Sequence, residues 1–276
     1  MKNSKYILIA FLSMVIFSAT TFIRYHSFIS DFWITPILLF IFVILCSTFK
    51  NSQPRKVLVS TILGLLTIFS VACFFDGAPS KITYPNLLAY IGGIFAGYFF
   101  SINIKYMNKI LPFVSLIIFS LSYQFIFKNY WENYVEYGTF KGITRVSINN
   151  KIKILSENKD TINLNNIGTT YVLDCWFIGC APCVRAFPKF ENLYQKYTSK
   201  KDYVFYSINY PNESDTNSMA LNMVRKLGYT FPLAYEIKSA NPLLDVNTFP
   251  TILVIRNDSI LYRGKIELVE NFLDKN

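Results

Sequence analysis

The sequence contains little charge: only 16% of its 276 residues are charged, 52% are hydrophobic, and the mean hydropathy is +0.31. This composition is not that of an ordinary soluble protein. The net charge of +10 would by itself suggest a nucleic-acid partner. However, no run of Lys and Arg exceeds two residues, and the basic residues of the first half stand between apolar segments. We therefore expect no nucleic-acid partner, because basic flanks of membrane helices explain these residues better.

Histidine is nearly absent, because His26 is the single one beside five cysteines. A zinc site normally needs four Cys or His ligands, and the pair Cys180 and Cys183 has no second ligand pair. Covalent haem attachment requires a histidine directly after the second cysteine, where Val184 stands. A copper chaperone is also not expected, because this sequence lacks the histidine that such a site would have. We therefore expect neither a metal nor another cofactor.

Charge is also unevenly distributed. Residues 1–138 hold ten Lys/Arg and four Asp/Glu, whereas residues 139–276 hold the other seventeen and thirteen of the totals of 27 and 17. The first half contains five apolar stretches without internal charge, each about 18 residues long and just able to cross about 30 Å of hydrocarbon. They are Tyr6–Ile23, Phe32–Phe49, Val57–Phe75, Leu87–Ile104 and Ile110–Phe127. We expect residues 1–128 to form an all-α membrane domain of about five transmembrane helices in a lipid bilayer.

The basic residues predict an orientation for these helices. If the N-terminus is cytoplasmic, seven basic residues lie inside (Lys2, Lys5, Lys50, Arg55, Lys56, Lys105, Lys109) and three lie outside (Arg24, Lys81, Lys128). The first stretch could be a cleaved signal peptide, but it is long and lacks a clear cleavage site, so we expect it to be retained. With five spans, the C-terminal half lies outside the cytoplasm of a bacterial inner membrane.

Residues 129–142 are rich in aromatic side chains and contain Gly138 and Gly142, which is typical of an interfacial linker. Strand and helix patterns alternate from residue 143 to 276. They include a buried strand at Tyr171–Phe177, a helix through Tyr197, and a hairpin around Asn257-Asp258. This order predicts a mixed sheet with helices on both faces.

The central stretch of this domain is Asp174-Cys-Trp-Phe-Ile-Gly-Cys-Ala-Pro-Cys183, which follows a strand and enters a helix. Two cysteines separated by two residues can form a disulfide, because their Cα atoms are within bridging distance. A thiol at a helix N-terminus is stabilised as thiolate, so Cys180 is the candidate nucleophile and Cys183 the resolving thiol. A structural disulfide is the alternative, but so small a loop constrains the unfolded chain little.

These residues, together with Thr-Phe-Pro-Thr-Ile-Leu-Val-Ile at 248–255, resemble the thioredoxin fold. More narrowly, residues 140–276 resemble the membrane-anchored thiol–disulfide oxidoreductases of the TlpA/ResA group. The resemblance implies that Pro250 is a cis-proline facing the cysteines and that the backbone of Phe249 pairs with an extended substrate segment. It also implies that Trp176 and Pro182 belong to the substrate-binding surface.

Asp174 occupies the position of the buried acid of thioredoxin, by the same resemblance. A desolvated carboxylate has a raised pKa and could take the proton of Cys183. An acid bonded to nearby backbone is the alternative. The sequence departs from the family pattern at Ala186, where an acid is common, and at Gly179, where a large residue is common. Cys175 should point to the other face of the strand, as a buried and inert thiol.

The resulting hypothesis is a cell-envelope oxidoreductase that exchanges thiols with protein substrates through Cys180 and Cys183. A separate membrane or periplasmic electron donor would restore the pair. By resemblance, the proline of Cys-Ala-Pro-Cys favours a reductase over an oxidase or isomerase. The alternative is a membrane scaffold or transport-related bundle, with the thioredoxin fold as an accessory docking module.

Overall fold

The computed structural model describes residues 4–26, 31–49, 52–75, 81–102, 106–148, 152–164, 166–211, 217–237, 244 and 246–275. The chain divides into two compact units, Met1–Lys128 and Asn129–Asn276. The first unit is helical. Its helices are α1 (Ser4–His26), α2 (Asp31–Thr48), α3 (Pro54–Phe75), α4 (Tyr84–Ser101) and α5 (Tyr106–Ser122), followed by a π-helical turn (Tyr123–Phe127).

Glycines allow the closest helix contacts in this unit. A Cβ at Gly93 would collide with the backbone carbonyl oxygen of Pro36, and one at Gly97 would lie 2.7 Å from the carbonyl oxygen of Phe40. Helix α4 therefore packs backbone to backbone against α2, as small residues four positions apart permit. A Cβ at Gly64 would likewise meet the carbonyl oxygen of Ala10, which joins α3 to α1.

The outward faces of these helices are apolar. Exposed side chains include Ile7, Leu63, Leu88 and Phe125, of which Phe125 is 77% exposed. Among the described residues, two helices are long and apolar enough to cross a membrane, Pro54–Val71 and Ile110–Tyr137. By length and apolar composition, the described residues therefore contain two candidate spans and not the expected five.

The part of the chain that the structure describes also contains two shorter apolar helical stretches, Ser4–Thr20 in α1 and Ile34–Thr48 in α2.

The residues expected to form a linker are largely helical. Helix α6 (Lys128–Tyr137) begins directly after the π-helical turn, and nearly all of it belongs to the second unit. Its Asn133 is fully buried, accepts a hydrogen bond from the backbone N–H of Lys265 (2.8 Å) and donates one to the carbonyl oxygen of Thr139 (2.7 Å). Helix α6, nearly all of which falls within the residues expected to form a linker, thus packs as part of the C-terminal unit.

The second unit contains one eight-stranded mixed sheet in the order β1-β8-β7-β4-β5-β6-β2-β3. Strands β4, β5 and β6 are parallel, and the remaining pairs are antiparallel. The strands are β1 (Ile143–Ser147), β2 (Lys153–Ser156), β3 (Thr161–Asn163), β4 (Thr170–Trp176), β5 (Tyr203–Asn209), β6 (Leu233–Glu236), β7 (Thr251–Arg256) and β8 (Ser259–Gly264). The helices are α7 (Ala181–Tyr197), α8 (Asn217–Lys226) and α9 (Ile266–Leu273).

The two faces of the sheet are covered differently. Helices α7, α8 and α9 all contribute to one buried cluster, which also contains Val172 and Trp176 of β4. The opposite cluster contains strand and loop residues such as Ile148, Leu164 and Leu244. Helices α7, α8 and α9 therefore pack on one face of the sheet, and residues 238–243, between β6 and β7, lie outside the described residues. Two right-handed crossovers that advance in the same direction, β4-α7-β5 and β5-α8-β6, place their helices on the same face.

Candidate active site

The cysteine pair lies where β4 leads into α7. Cys180 is the N-cap residue of α7, and its Sγ accepts a hydrogen bond from the backbone N–H of Cys183 (3.2 Å). The two cysteines form a disulfide with Cα atoms 5.3 Å apart. Cys183 is fully buried, whereas Cys180 is 4% exposed. Cys180 is thus the sulfur nearer to solvent, at the end of the helix that stabilises a thiolate.

The loop before the pair requires a glycine. Gly179 has φ of +93°, a conformation that residues with a Cβ rarely adopt, and it is exposed. A large residue, as is common in the resembled family, would be strained at this backbone conformation. Ala181 and Pro182 are also exposed. The exposed surface next to Cys180 is therefore formed by small residues and Pro182, while Cys180 itself is 4% exposed.

Asp174 and Cys175 are neighbours in sequence, but β4 directs their side chains to opposite faces of the sheet. Asp174 lies on the face of Val172 and Trp176, which pack with Cys180 and Cys183 under α7. Cys175 lies in the opposite cluster and is fully buried. Burial and the charge of Asp174 raise the pKa of the Cys175 thiol. Its burial on the other face agrees with the sequence analysis, and a low reactivity remains the expectation for such a thiol.

Asp174 has an unusual environment for a carboxyl group. It is fully buried, its Oδ2 accepts a long hydrogen bond of 3.5 Å from the hydroxyl of Ser207, and its Oδ1 has no partner within the described residues. Burial raises its pKa from 3.8 to about 7, and the hydrogen bond from Ser207 opposes this only in part. Asp174 can therefore gain or lose a proton near neutral pH, which a general base requires.

The proline loop lies beside the cysteine loop because β4 and β7 run antiparallel, with Cys175 paired to Thr251. The Phe249–Pro250 peptide bond is cis, as the resemblance implied. The ring of Phe249 packs edge-on against Phe177, three residues before Cys180, with centroids 5.3 Å apart. The residues that precede β7 are thus held next to those that precede the nucleophile.

Trp176 does not fit the substrate-binding role that the resemblance implied. It is fully buried, and its ring packs edge-on against Phe187 of α7 at 5.1 Å. A side chain without exposed surface cannot contact a substrate. Trp176 instead supports the N-terminal half of α7 from below. Pro182, Phe249 and Pro250 have exposed or partly exposed surface and remain available for binding.

Some polar residues near the site were missed from the sequence. Ser207 and Asn209 of β5 are buried on the same face as Asp174, and neither polar side-chain atom of Asn209 has a partner within the described part of the chain. The sequence did contain a signal for them. A parallel strand buried on both faces is expected to be apolar along its length, and these two residues are polar. Tyr137 was also missed, although it contacts the proline loop.

No group of three or more His, Cys, Asp or Glu side chains suited to a metal ion occurs among the residues described.

Comparison with known proteins agrees with this architecture. A family model described as thioredoxin-like matches residues 168–260, about a third of the chain, from the end of the loop before β4 to β8. The C-terminal unit contains a thioredoxin-like domain. The match includes Asp174, both cysteines and Pro250, but not the helices of the first unit. No curated protein matches the sequence.

Several solved structures match slightly less than half of this chain. They include StoA from Bacillus subtilis, at 16% identity and a TM-score of 0.39, covering 46% of this chain and 99% of that one. The thioredoxin domain of a thiol-disulfide oxidoreductase from Bacteroides vulgatus has 17% identity and a TM-score of 0.39, covering 48% and 97%. The exposed lipoprotein thioredoxin Etrx1 from Streptococcus pneumoniae has 17% identity and a TM-score of 0.38, covering 46% and 99%.

Proposed function

We propose that this protein is a membrane-attached thiol–disulfide oxidoreductase that reduces protein disulfides through Cys180 and Cys183. The observation that carries the proposal is the cysteine pair itself. Its first sulfur caps a helix N-terminus and its second lies above a face that holds a buried carboxyl of raised pKa. A purely structural crosslink would need neither the helix N-terminus nor the carboxyl.

The exchange proceeds in two substitutions at sulfur. The Cys180 thiolate attacks one sulfur of a substrate disulfide, forms a mixed disulfide and releases the other substrate sulfur as a thiolate. The Cys183 thiolate then attacks Cys180, forms the Cys180–Cys183 disulfide and releases the second substrate sulfur. Two electrons and two protons have passed to the substrate. A separate dithiol protein returns the pair to the reduced form by the same exchange in reverse.

Asp174 supports the second substitution. Cys183 is fully buried, so its thiol needs a nearby group to accept its proton before it can attack. Asp174 lies on the face of β4 that packs against Cys183, and its pKa of about 7 suits proton transfer at neutral pH. We assign Asp174 as the base for Cys183 and Cys180 as the nucleophile.

The helical first unit supports attachment to a membrane. Its helices pack tightly through glycines while their outward faces carry large apolar side chains, the reverse of a water-soluble bundle. The excess of basic residues on one set of loops favours a cytoplasmic N-terminus. Five crossings would place the cysteine pair outside the cytoplasm. Two crossings, by α3 and by the helix that contains α5, would place it on the same side as the N-terminus.

The activity is tested with the full chain in detergent. The Cys183→Ser variant should accumulate mixed disulfides with a disulfide-containing protein, seen as reducible higher bands on a non-reducing gel. Cys180→Ser should give none, and Cys46→Ser, a change at a buried cysteine of α2, serves as the matched control. If Cys183→Ser forms no adduct and Cys180→Ser exchanges normally, the proposal fails. A membrane scaffold with an accessory domain then becomes the better hypothesis.

Direction and location need separate measurements. An equilibrium potential of the pair near that of thioredoxin, about −270 mV, supports a reductase, whereas one near −120 mV, the value for DsbA, supports an oxidant. Labelling reduced, intact cells with a membrane-impermeant maleimide should modify the wild-type chain more than Cys180→Ala if the domain lies outside. Equal labelling would contradict the five-span orientation.

A further inference from the structure

Helix α6 contacts the rest of the C-terminal unit through polar side chains, some of them near the candidate active site. Besides the hydrogen bonds of Asn133, the side chains of Glu132 and Lys265 form an ion pair at 2.5 Å, and both are largely buried. A Cβ at Gly264 would collide with the Oδ1 atom of Asn133. These contacts hold the middle of α6 against the turn between β8 and α9.

The last residue of α6 reaches the proline loop. The hydroxyl of Tyr137 donates a hydrogen bond to the backbone carbonyl oxygen of Pro250 (2.9 Å). The hydroxyl of Thr251 lies within hydrogen-bond distance of both the Tyr137 hydroxyl (3.2 Å) and the carbonyl oxygen of Thr248. Thr251 is 2% exposed, so these bonds are shielded from water. The Tyr137 hydroxyl thus contacts the Pro250 carbonyl and the Thr251 hydroxyl, and Thr251 in turn contacts Thr248 on the other side of Pro250.

The hydrogen bond from Tyr137 matters because it holds the backbone of the proline loop from an element outside that loop. Phe249 is held on one side by its ring contacts with Phe177 (5.3 Å) and Tyr210 (5.1 Å). The carbonyl of the next residue, Pro250, is held by Tyr137 from an element more than a hundred residues away in sequence. The loop is therefore fixed at its side chain and at its backbone by different elements.

We propose that Tyr137 is a positioning residue, which holds the Phe249–Pro250 backbone so that it can pair with an extended segment of a protein substrate. The inference rests on the proposed function and deepens it, because it assigns part of substrate selection to α6. A fixed backbone binds an extended peptide with less loss of conformational freedom than a mobile one. Tyr137 does not touch the reacting sulfurs.

The test compares two disulfide substrates on the full chain in detergent, with dithiothreitol as reductant. One is a peptide disulfide with extended residues on both sides of its cysteine, and the other is hydroxyethyl disulfide, which is too small to reach the loop. Tyr137→Phe should raise KM for the peptide about fivefold, the factor expected for one lost hydrogen bond of ordinary strength. Its kcat for the peptide and all constants for the small disulfide should stay at wild-type values.

Controls separate positioning from a general defect. Tyr134→Phe, one turn earlier on α6 where the ring stacks on Phe140, should leave both substrates unaffected. Thr251→Val removes the second hydroxyl at the loop and should raise KM for the peptide in the same direction, which keeps the test available if Tyr137→Phe folds poorly. Equal losses with both substrates, or no change in either variant, would overturn the inference. If the wild-type chain turns over neither substrate, the proposed function itself has failed.

Discussion

Replacing Asp174 by Asn tests the central electrostatic claim. The carboxyl group is fully buried with a pKa raised from 3.8 to about 7, so the folded protein holds a proton there that the unfolded chain has already released. Below pH 4 both states are protonated and folding carries no penalty. As the pH rises from about 4 to about 7, the unfolded chain gains its charge freely and the folded protein resists doing so. Stability should therefore fall across this window and level off above it.

The magnitude follows from the size of the shift. A difference of about three pKa units corresponds to about 4 kcal/mol, since each unit is about 1.4 kcal/mol. The neutral Asn has nearly the same shape and cannot ionise. At pH 8 the Asp174→Asn variant should therefore be more stable than the wild type by as much as about 4 kcal/mol, and at pH 4 the two should be nearly equal.

The assay is thermal unfolding of the oxidised full chain in detergent between pH 4 and pH 9. Asp202→Asn is the matched control, because it makes the same change at an exposed carboxyl at the start of β5. The second readout is kinetic: mixed disulfides should be resolved more slowly by Asp174→Asn than by the wild type at pH 7, while attack by Cys180 keeps its rate. Parallel stability curves for wild type and Asp174→Asn would refute the reasoning, because they would mean that the carboxyl titrates normally.

Two further predictions concern stability. Glu191→Gln should lower the unfolding free energy by about 2 kcal/mol at pH 7, since the carboxylate accepts hydrogen bonds from the backbone N–H groups of Thr230 (2.9 Å) and Phe231 (3.2 Å); unchanged thermal unfolding would contradict this. Gly264→Ala should lower it by about 1–3 kcal/mol, because the added methyl collides with Asn133 Oδ1, and combining it with Asn133→Ala should recover part of the loss if the collision is the cause.

The elements of the second unit that could be predicted are those with a local signal. The apolar run at Tyr171–Phe177 predicted β4, and the helix after it ends at Tyr197 as expected. The hairpin around Asn257-Asp258 is confirmed because both residues adopt positive φ, which Asn and Asp tolerate in tight turns. The N-cap position of Cys180 also follows from sequence order, since a strand, a glycine and a Cys-x-Pro-Cys sequence leave few other arrangements.

The parts that could not be predicted depend on contacts between distant segments. Residues 128–137 have the aromatic composition of an interfacial linker, and contacts with distant residues, such as those of Asn133 with Lys265 and of Tyr137 with Pro250, make them part of the domain. Strands β1 and β2 are close in sequence but lie near opposite ends of the sheet, beside β8 and β6. Trp176 was assigned to the substrate surface by resemblance, and its burial depends on how Phe187 of α7 packs against it, which sequence order does not specify.

Two buried acids in the described C-terminal unit show how structural and functional carboxyls can be told apart. Burial raises the pKa of Glu191, but its bonds from Thr230, Gln195 and Phe231 outweigh this effect and lower the pKa below its usual range. The stability contributed by Glu191 is therefore present above the pKa of the unfolded chain and is lost as the pH falls.

Asp174 has the opposite balance, because one weak bond from Ser207 leaves burial dominant and its pKa near 7. A protein gains no stability from such a carboxyl, since a neutral side chain of the same size would fold at lower cost. Asp174 lies on the face of β4 that packs against Cys180 and Cys183, and not on the face of Cys175, which suggests a functional reason for the lost stability. This placement supports the proposal that Asp174 accepts the proton that the Cys183 thiol must lose.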